Sequence, residues 1–495
     1  MNRRCLGGFL MLKKHLAVIL SILMALSLFT ACGAGATSSA PANSSQESSE
    51  KDTVDTSTLT YEYSDEMLAW AEKVRAEYEG TTLNMAGYAH GTLEAIKPML
   101  PDFEALTGIK VEISETDLAK SHDRVVLDFN NPKSTYDIIM VPDANAPEYI
   151  GLGFLEPLND YVDSKKGVST EEWFDLEDIS FAYRDLYMDL SSTNLYAVPM
   201  GGETGIMYYR KDIFDEYGFE VPETTDEMLK LAQKITEMNL EVDGQRVYGV
   251  SFRGRPALGG ANWLFQIYDY AFGGQIVDPS NDVTPTVNSA ESVEAVRWLT
   301  EMCKVGVPGI AAFDPNDAIN QFRNGMAAMC LEASVFGADT EDPEISNVAG
   351  KVGYAPFPAG PAGSYNAVFG IAFGISTKSE NKDAAWALIE WISSRGNQNI
   401  YLDNNGPVGR DSGLSDPELQ AKYPFYQSIM EAGHQASDLA AQGLRPTPKI
   451  VIALQYINAY AVNVSAALSG EVTPEESMEL LQADMEKIAK DAGLI

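Results

Sequence analysis

Beyond residue 80 the chain alternates between strand-like and helix-like stretches, and this order restricts the fold more than any other feature. Residues 83–86 (Leu, Asn, Met, Ala) are a candidate strand, 109–113 alternate as Ile, Lys, Val, Glu and Ile, and 136–141 read as a buried strand ending in Ile, Ile, Met and Val. Between the first two, Leu93, Ile96, Met99, Leu100, Phe103 and Leu106 keep helical spacing as far as Gly108. A helix between two strands brings the second strand back parallel to the first, because parallel pairing needs a crossover of a dozen or more residues. The chain is therefore predicted to be α/β, opening with a βαβαβ unit. Pro98 and Pro101 each lack the N–H a continuous helix uses, so that helix must kink or restart.

The same order returns after residue 200. Residues 205–209, 248–252 and 327–331 read as strands. Thr224 with Glu227 forms a capping box ahead of Met228, Leu231, Ala232, Ile235 and Met238, and Thr473 with Glu476 opens the last helix. Asn288 with Glu291 is predicted to open a helix through Val293, Val296 and Leu299, and Asp314-Pro315-Asn316-Asp317 to start another. Roughly 420 residues of such material exceed what one core organises, so two lobes are expected.

The amino-terminal stretch has a different character. Arg3, Arg4, Lys13 and Lys14 precede an apolar run from Leu16 to Ala31 with no acid among them, the layout of a signal peptide over 1–31. The run is shorter than the roughly 20 residues a membrane-spanning helix needs. Leu28-Phe29-Thr30-Ala31-Cys32 resembles a bacterial lipobox, with Phe29 where that pattern has Leu, so Cys32 is the expected lipidation site. Residues 32–75 are read as a lipid-anchored flexible tether, since 33–60 are mostly small and polar and cannot bury enough surface to offset chain entropy.

Acidic residues outnumber basic ones by 71 to 35, and such a surface repels nucleic acid and anionic headgroups. Cys303 and Cys330 sit among apolar neighbours and read as core residues, with a single disulfide between them as the alternative. No His-Glu-x-x-His, Cys-x-x-Cys, Gly-x-Ser-x-Gly, Gly-x-Gly-x-x-Gly or phosphate-cradling Gly-Lys-Ser/Thr motif is present. Neither metal nor cofactor is expected. Glycoside hydrolysis by paired carboxylates is the one enzyme class that the residue types leave open.

Several segments resemble one family in order along the chain. They are Leu106-Thr107-Gly108-Ile109-Lys110-Val111, Tyr136-Asp137-Ile138-Ile139, Leu195-Tyr196-Ala197-Val198-Pro199, Gly205-Ile206-Met207-Tyr208-Tyr209-Arg210, and Ala384-Ala385-Trp386-Ala387-Leu388-Ile389-Glu390-Trp391. Together they are similar to the family 1 extracellular solute-binding proteins of ABC importers, typified by maltodextrin-binding proteins. The resemblance implies a type II two-lobe clamp with three hinge crossings, near 198–203, 366–370 and 404–409. Lobe 1 would hold 76–198 and 368–405, and lobe 2 would hold 199–367 and 406–495. It also implies a monomer that presents its small-molecule solute to ABC permease subunits, tethered to the outer face of the membrane.

Ligand contacts in that family lie on loops at strand ends. This implies His90 after the first strand, Asp143 and Asn145 after the third, and Glu203 at the first crossing. In lobe 2 it implies Arg253, Asn262 and Trp263, with Trp263 as a stacking platform, and Phe336 beyond the strand at 327–331. Tyr365 and Asn366 at the second crossing and Arg410 after the third complete the set. The leading reading is reversible capture of a sugar, short oligosaccharide or polyol. The alternatives are another small solute, such as a polyamine or amino-sugar derivative, and a secreted glycoside hydrolase. Convergence of Asp143 and Glu203 on one point would favour a cationic ligand.

Overall fold

The computed structural model describes residues 56–495; the expected signal segment, Cys32 and the first part of the expected tether lie outside the described residues. Among the described residues ten strands are present: β1 (Thr82–Tyr88), β2 (Lys110–Thr116), β3 (Ile138–Pro142), β4 (Val198–Arg210), β5 (Glu241–Val242), β6 (Gln245–Arg246), β7 (Tyr248–Phe252), β8 (Ala327–Ala333), β9 (Val352–Pro356) and β10 (Val368–Ile375). β5 and β6 form a small hairpin, and the rest form one sheet in the order β2-β1-β3-β10-β4-β8-β7, with β9 also on β4. β1 pairs parallel with β2 and β3, as the βαβαβ reading requires, and β7 pairs parallel with β8. Every residue of β3 and β8 is buried, as expected of strands with helices on both faces.

Local signals act as their chemistry requires. The first helical stretch divides into Gly91–Ile96 and Leu100–Thr107, with Pro101 in the opening turn of the second part and Gly108 ending it at φ 70. Capping boxes form at Thr224 with Glu227, Asp314 with Asp317, and Thr473 with Glu476. The helix expected to open at Asn288 is instead capped by Ser289, whose hydroxyl accepts the Ser292 N–H, so the reading was one residue early. Cys330 is buried, Cys303 half-buried, and both are free thiols.

The expected tether runs too far. Asp65–Tyr78 is a helix capped by Ser64, with Met67, Trp70, Ala71 and Val74 buried at spacing i, i+3, i+4, i+7. The chain before it is held too, because the Asp102 carboxylate accepts the N–H groups of Thr60 and Tyr61 and the hydroxyl of Tyr63. That apolar stripe is short and lies among Glu, Lys and Arg, which hid it behind a polar average.

Two halves of the molecule meet on β4. Its first part, Val198 to Thr204, pairs with β10, and its second part, from Gly205, pairs with β8 and β9. β9 and β10 lie end to end along one edge of β4, with Pro356 opposite Ile206 and Val368 opposite Thr204; residues 357–367 loop out between them. Ala372 faces Pro199 while Ile371 faces Gly201, leaving Met200 as a bulge. Gly201 stands at φ 130, and a Cβ there would strike the Pro407 carbonyl oxygen; one on Gly202 would strike the Phe369 carbonyl. The three crossings therefore pack backbone on backbone. A second tie joins 185–192 to 445–449: Lys449 Nζ lies 2.7 Å from Asp185, Arg445 Nε lies 3.4 Å from the same carboxylate, and the Lys449 N–H donates to Asp282.

Gly202→Ala should destabilise the protein by about 1–3 kcal/mol, the usual cost of forcing a methyl into filled space. Urea unfolding measures it, and a stability equal to that of the parent chain would mean that β4 and β10 can part freely.

Candidate functional site

β1 and β3 run toward the middle of the sheet from one half, β7 and β8 run toward it from the other, and a cleft of about 610 Å³ opens where their carboxyl ends meet. Open α/β sheets bind ligands beyond the carboxyl ends of their strands, and this volume suits a small molecule. β3 passes at Pro142 into the 3-10 turn Asp143–Asn145, β1 delivers Tyr88 and His90, and the loop after β7 delivers Arg253 and Arg255. The floor comes from the crossings, with Glu203 on β4 and Phe369 and Ile371 on β10. Residues of the helix Ala261–Phe272, together with Thr447, Leu454 and Ile457, close the other wall.

Asp143 and Glu203 are both half-buried and share this space. Burial, followed by the charge of Glu203, pushes the Asp143 carboxyl up to about 7, against the pull of the Asp143, Ala144 and Gly370 N–H groups. Burial also raises Glu203; Arg253 opposes the rise and Glu332 adds to it. Arg253 is committed elsewhere. Its Nε donates to Glu332 Oε1 at 2.7 Å and its Nη2 to the other oxygen, a bidentate pair between side chains 3% and 0% exposed.

The same guanidinium covers Trp263, with Cζ 4.3 Å from the ring centroid. Trp263 is only 2% exposed and packs edge-on against Phe357. It therefore lies in the cleft wall without offering the open stacking platform expected of it. The half-exposed ring is Phe369, 5.7 Å from Trp263 between centroids.

His90 lines the cleft and also caps the helix Gly91–Ile96, its Nδ1 accepting the Thr92 N–H at 3.1 Å. In the neutral ring this leaves the proton on Nε2. Burial lowers its pKa, favouring that form. Asn145 lies in the wall, buried. Asn262 is there too, but its Oδ1 accepts the Gly260 N–H and its Nδ2 donates to Gln266, which in turn donates to the Pro446 carbonyl. Its amide holds the wall together.

Four expected contacts lie outside the cleft lining. Phe336 packs against Arg323, whose Cζ is 5.6 Å from the ring centroid, because the turn after β8 directs Val335 into the cleft instead. Tyr365 packs on the core in the loop between β9 and β10. Asn366 is fully buried and braces β4, accepting the Gly205 N–H and donating to the Gly205 carbonyl. Arg410 donates to the carbonyls of Phe174, Asp175 and Ser393 and tethers a loop. Polarity singled out these last two, yet their partners are backbone groups distant in sequence. Tyr88, His122, Gln266, Val335 and Phe369 line the cleft unforeseen. Phe369 was the most accessible to reasoning, since it alternates with Val368 and Gly370 at an expected crossing.

A carboxyl with a higher pKa folded than unfolded binds its proton more tightly in the fold. The Asp143 contribution to stability is therefore fully present below the unfolded value of about 3.9. It is lost as pH rises through about 7. Carbon-detected NMR of the side chain should show that midpoint, displaced downward in Glu203→Gln; an Asp143 midpoint near 4 would mean the carboxyl is solvated and uncoupled.

Residues 89–399 match the bacterial extracellular solute-binding protein family. The chain is 25% identical over 347 residues to an erythritol/L-threitol-binding protein of Mycolicibacterium smegmatis, covering 66% of this chain and 70% of that one. It is 27% identical over 386 residues to a mannitol-binding protein of Pseudomonas aeruginosa, covering 75% and 84%. Among solved structures, an ABC transporter solute-binding protein from Agrobacterium radiobacter K84, in complex with ribitol, superposes with a TM-score of 0.69 at 24% identity, over 83% of this chain and 99% of that one. That likeness establishes the two-lobe fold. The chain belongs to the bacterial extracellular solute-binding proteins.

Proposed function

We propose that the chain captures a small polyol or short sugar in this cleft, hands it to the permease of an ABC importer and performs no covalent chemistry on it. The observation that carries the reading is the cleft floor, where carboxylates at Asp143 and Glu203 flank the apolar faces of Phe369 and Ile371. Carboxylates accept the hydroxyl groups of such a ligand, and apolar side chains cover its C–H surface. The relatives named for erythritol, L-threitol and mannitol support the same class. Trp263, the one Trp lining the cleft among the described residues, is covered, and this favours a short ligand over a long chain of stacked sugar rings. Of the lining residues only Tyr88 and Thr447 bear hydroxyls and none is Cys, so a hydroxyl or thiol nucleophile finds little support, and Asp143 and Glu203 are the pair through which glycoside hydrolysis would have to run.

In this reading the lobes, 76–198 with 368–405 and 199–367 with 406–495, close on the ligand about the crossings, and the closed shape is what the permease recognises. The protein acts as a monomer on the outer face of the membrane, tethered by lipid on Cys32. Among the described residues no helix is long and apolar enough to cross a membrane.

Calorimetric titration with alditols of four to six carbons, monosaccharides and disaccharides tests the reading. Saturable binding of at least one short polyol or sugar is expected, weakened about tenfold or more in Asp143→Ala and Glu203→Ala, the scale of a lost hydrogen bond to a charged group. Binding confined to amino acids or peptides, or turnover of a chromogenic glycoside, would overturn it.

A further inference from the structure

We propose that the ligand carries a protonated amine seated between Asp143 and Glu203 against Phe369, so that an amino polyol or amino sugar is taken in preference to its neutral parent; this rests on the polyol and sugar reading above. The register of the three central strands sets the geometry. Pro142 of β3 faces Ile371 of β10, and Phe369 of β10 faces Glu203 of β4. Asp143 follows Pro142, so one strand separates the two acids, and neighbouring strands lie about 4.8 Å apart. Directly opposed residues share a face of the sheet, which sets the Glu203 carboxylate beside the Phe369 ring at the cleft floor.

Among the described residues no basic side chain hydrogen-bonds to either acid. Arg253 bears on Glu203 through its charge but gives both of its paired donors to Glu332, Arg255 Nη1 lies 3.4 Å from Asp314, His122 Nε2 lies 3.4 Å from Glu148, and His90 is a helix cap whose pKa burial lowers. Among the described residues no Lys lines the cleft. Asp143 has backbone N–H groups on one side and a like charge on the other, and the two acids resist holding both charges at once. An independent observation points to a missing partner: the Tyr88 hydroxyl, on a cleft-lining side chain 1% exposed and close enough to feel the Asp143 charge, has no hydrogen-bond partner among the described residues. Burying such a group unpaired is costly.

An ammonium meets all of these conditions together. It has three N–H donors for three acceptors, the two carboxylates and the Tyr88 oxygen, where a hydroxyl has one donor. Its charge offsets the repulsion between the acids, and an aromatic face at Phe369 adds cation–π attraction.

The test is calorimetry at pH 8 on the full chain purified in detergent, with matched pairs whose amine stays protonated at that pH, such as D-glucitol and 1-amino-1-deoxy-D-glucitol, or methyl D-glucoside and methyl 6-amino-6-deoxy-D-glucoside, extended across four- to six-carbon alditols. At least one amine should bind tenfold or more tighter than its neutral partner, and that ratio should fall to within about threefold of unity in Asp143→Asn and in Glu203→Gln. Neutral members binding as well as or better than their amines would overturn this inference and leave the polyol and sugar reading standing. A preference for amines that survives both substitutions would also overturn it, by placing the amine elsewhere. A panel in which nothing binds would overturn both.

Discussion

A carbonyl oxygen of Pro407 occupies the space where a side chain on residue 201 would begin, and the Phe369 carbonyl does the same beside Gly202. This contact of backbone on backbone between the three crossings is what the remainder of the molecule is arranged around. Side chains between the crossings would hold the halves apart and fill the end of the cleft. With glycine at 201 and 202 the crossings form a thin floor, and the residues on either side of it, Glu203 and Phe369, become the base of the cleft. The bulge at Met200 and the φ of 130 at Gly201 add local twist at the same place. A hinge of this kind absorbs rotation in a few residues while the packed halves move as bodies.

Charge in the cleft is set by a pair that does not face solvent. The Arg253–Glu332 bridge is buried, and removing either partner would strand the other at a cost of several kcal/mol. Glu332 takes both paired donors of the guanidinium, so Arg253 acts on Glu203 through its charge and not through a hydrogen bond, and that charge only partly opposes the effect of burial. The same guanidinium lies over Trp263, so one buried interaction also removes the expected stacking surface. A cleft can thus be rich in apolar walls and still have an acidic end.

Much of the architecture could be read locally. The helix break at Pro98 and Pro101, the capping boxes at Thr224 and Thr473 and the alternation in 109–113 each express forces acting within a few residues, and each stands in the fold as expected. The helix Asp65–Tyr78 escaped notice because its buried stripe sits in a polar setting and is stabilised by docking on a distant core. For the cleft, loops after strand ends identified His90, Asp143 and Asn145, since parallel β1 and β3 direct those loops to one side, and the first crossing identified Glu203. The same reasoning misplaced Phe336 by one residue, because the turn after β8 selects Val335.

From the sequence alone came the α/β class, the order of elements and a set of polar residues at strand ends, because periodicity, caps and turn chemistry are short-range. Only the tertiary structure decided which of those polar groups are free. Asn366 spends hydrogen bonds on Gly205 in β4, Arg410 spends its hydrogen bonds on the carbonyls of Phe174, Asp175 and Ser393, and Arg253 spends its donors on Glu332. Whether a polar side chain serves the fold or the solute depends on what reaches it across the chain, and that information is long-range by nature.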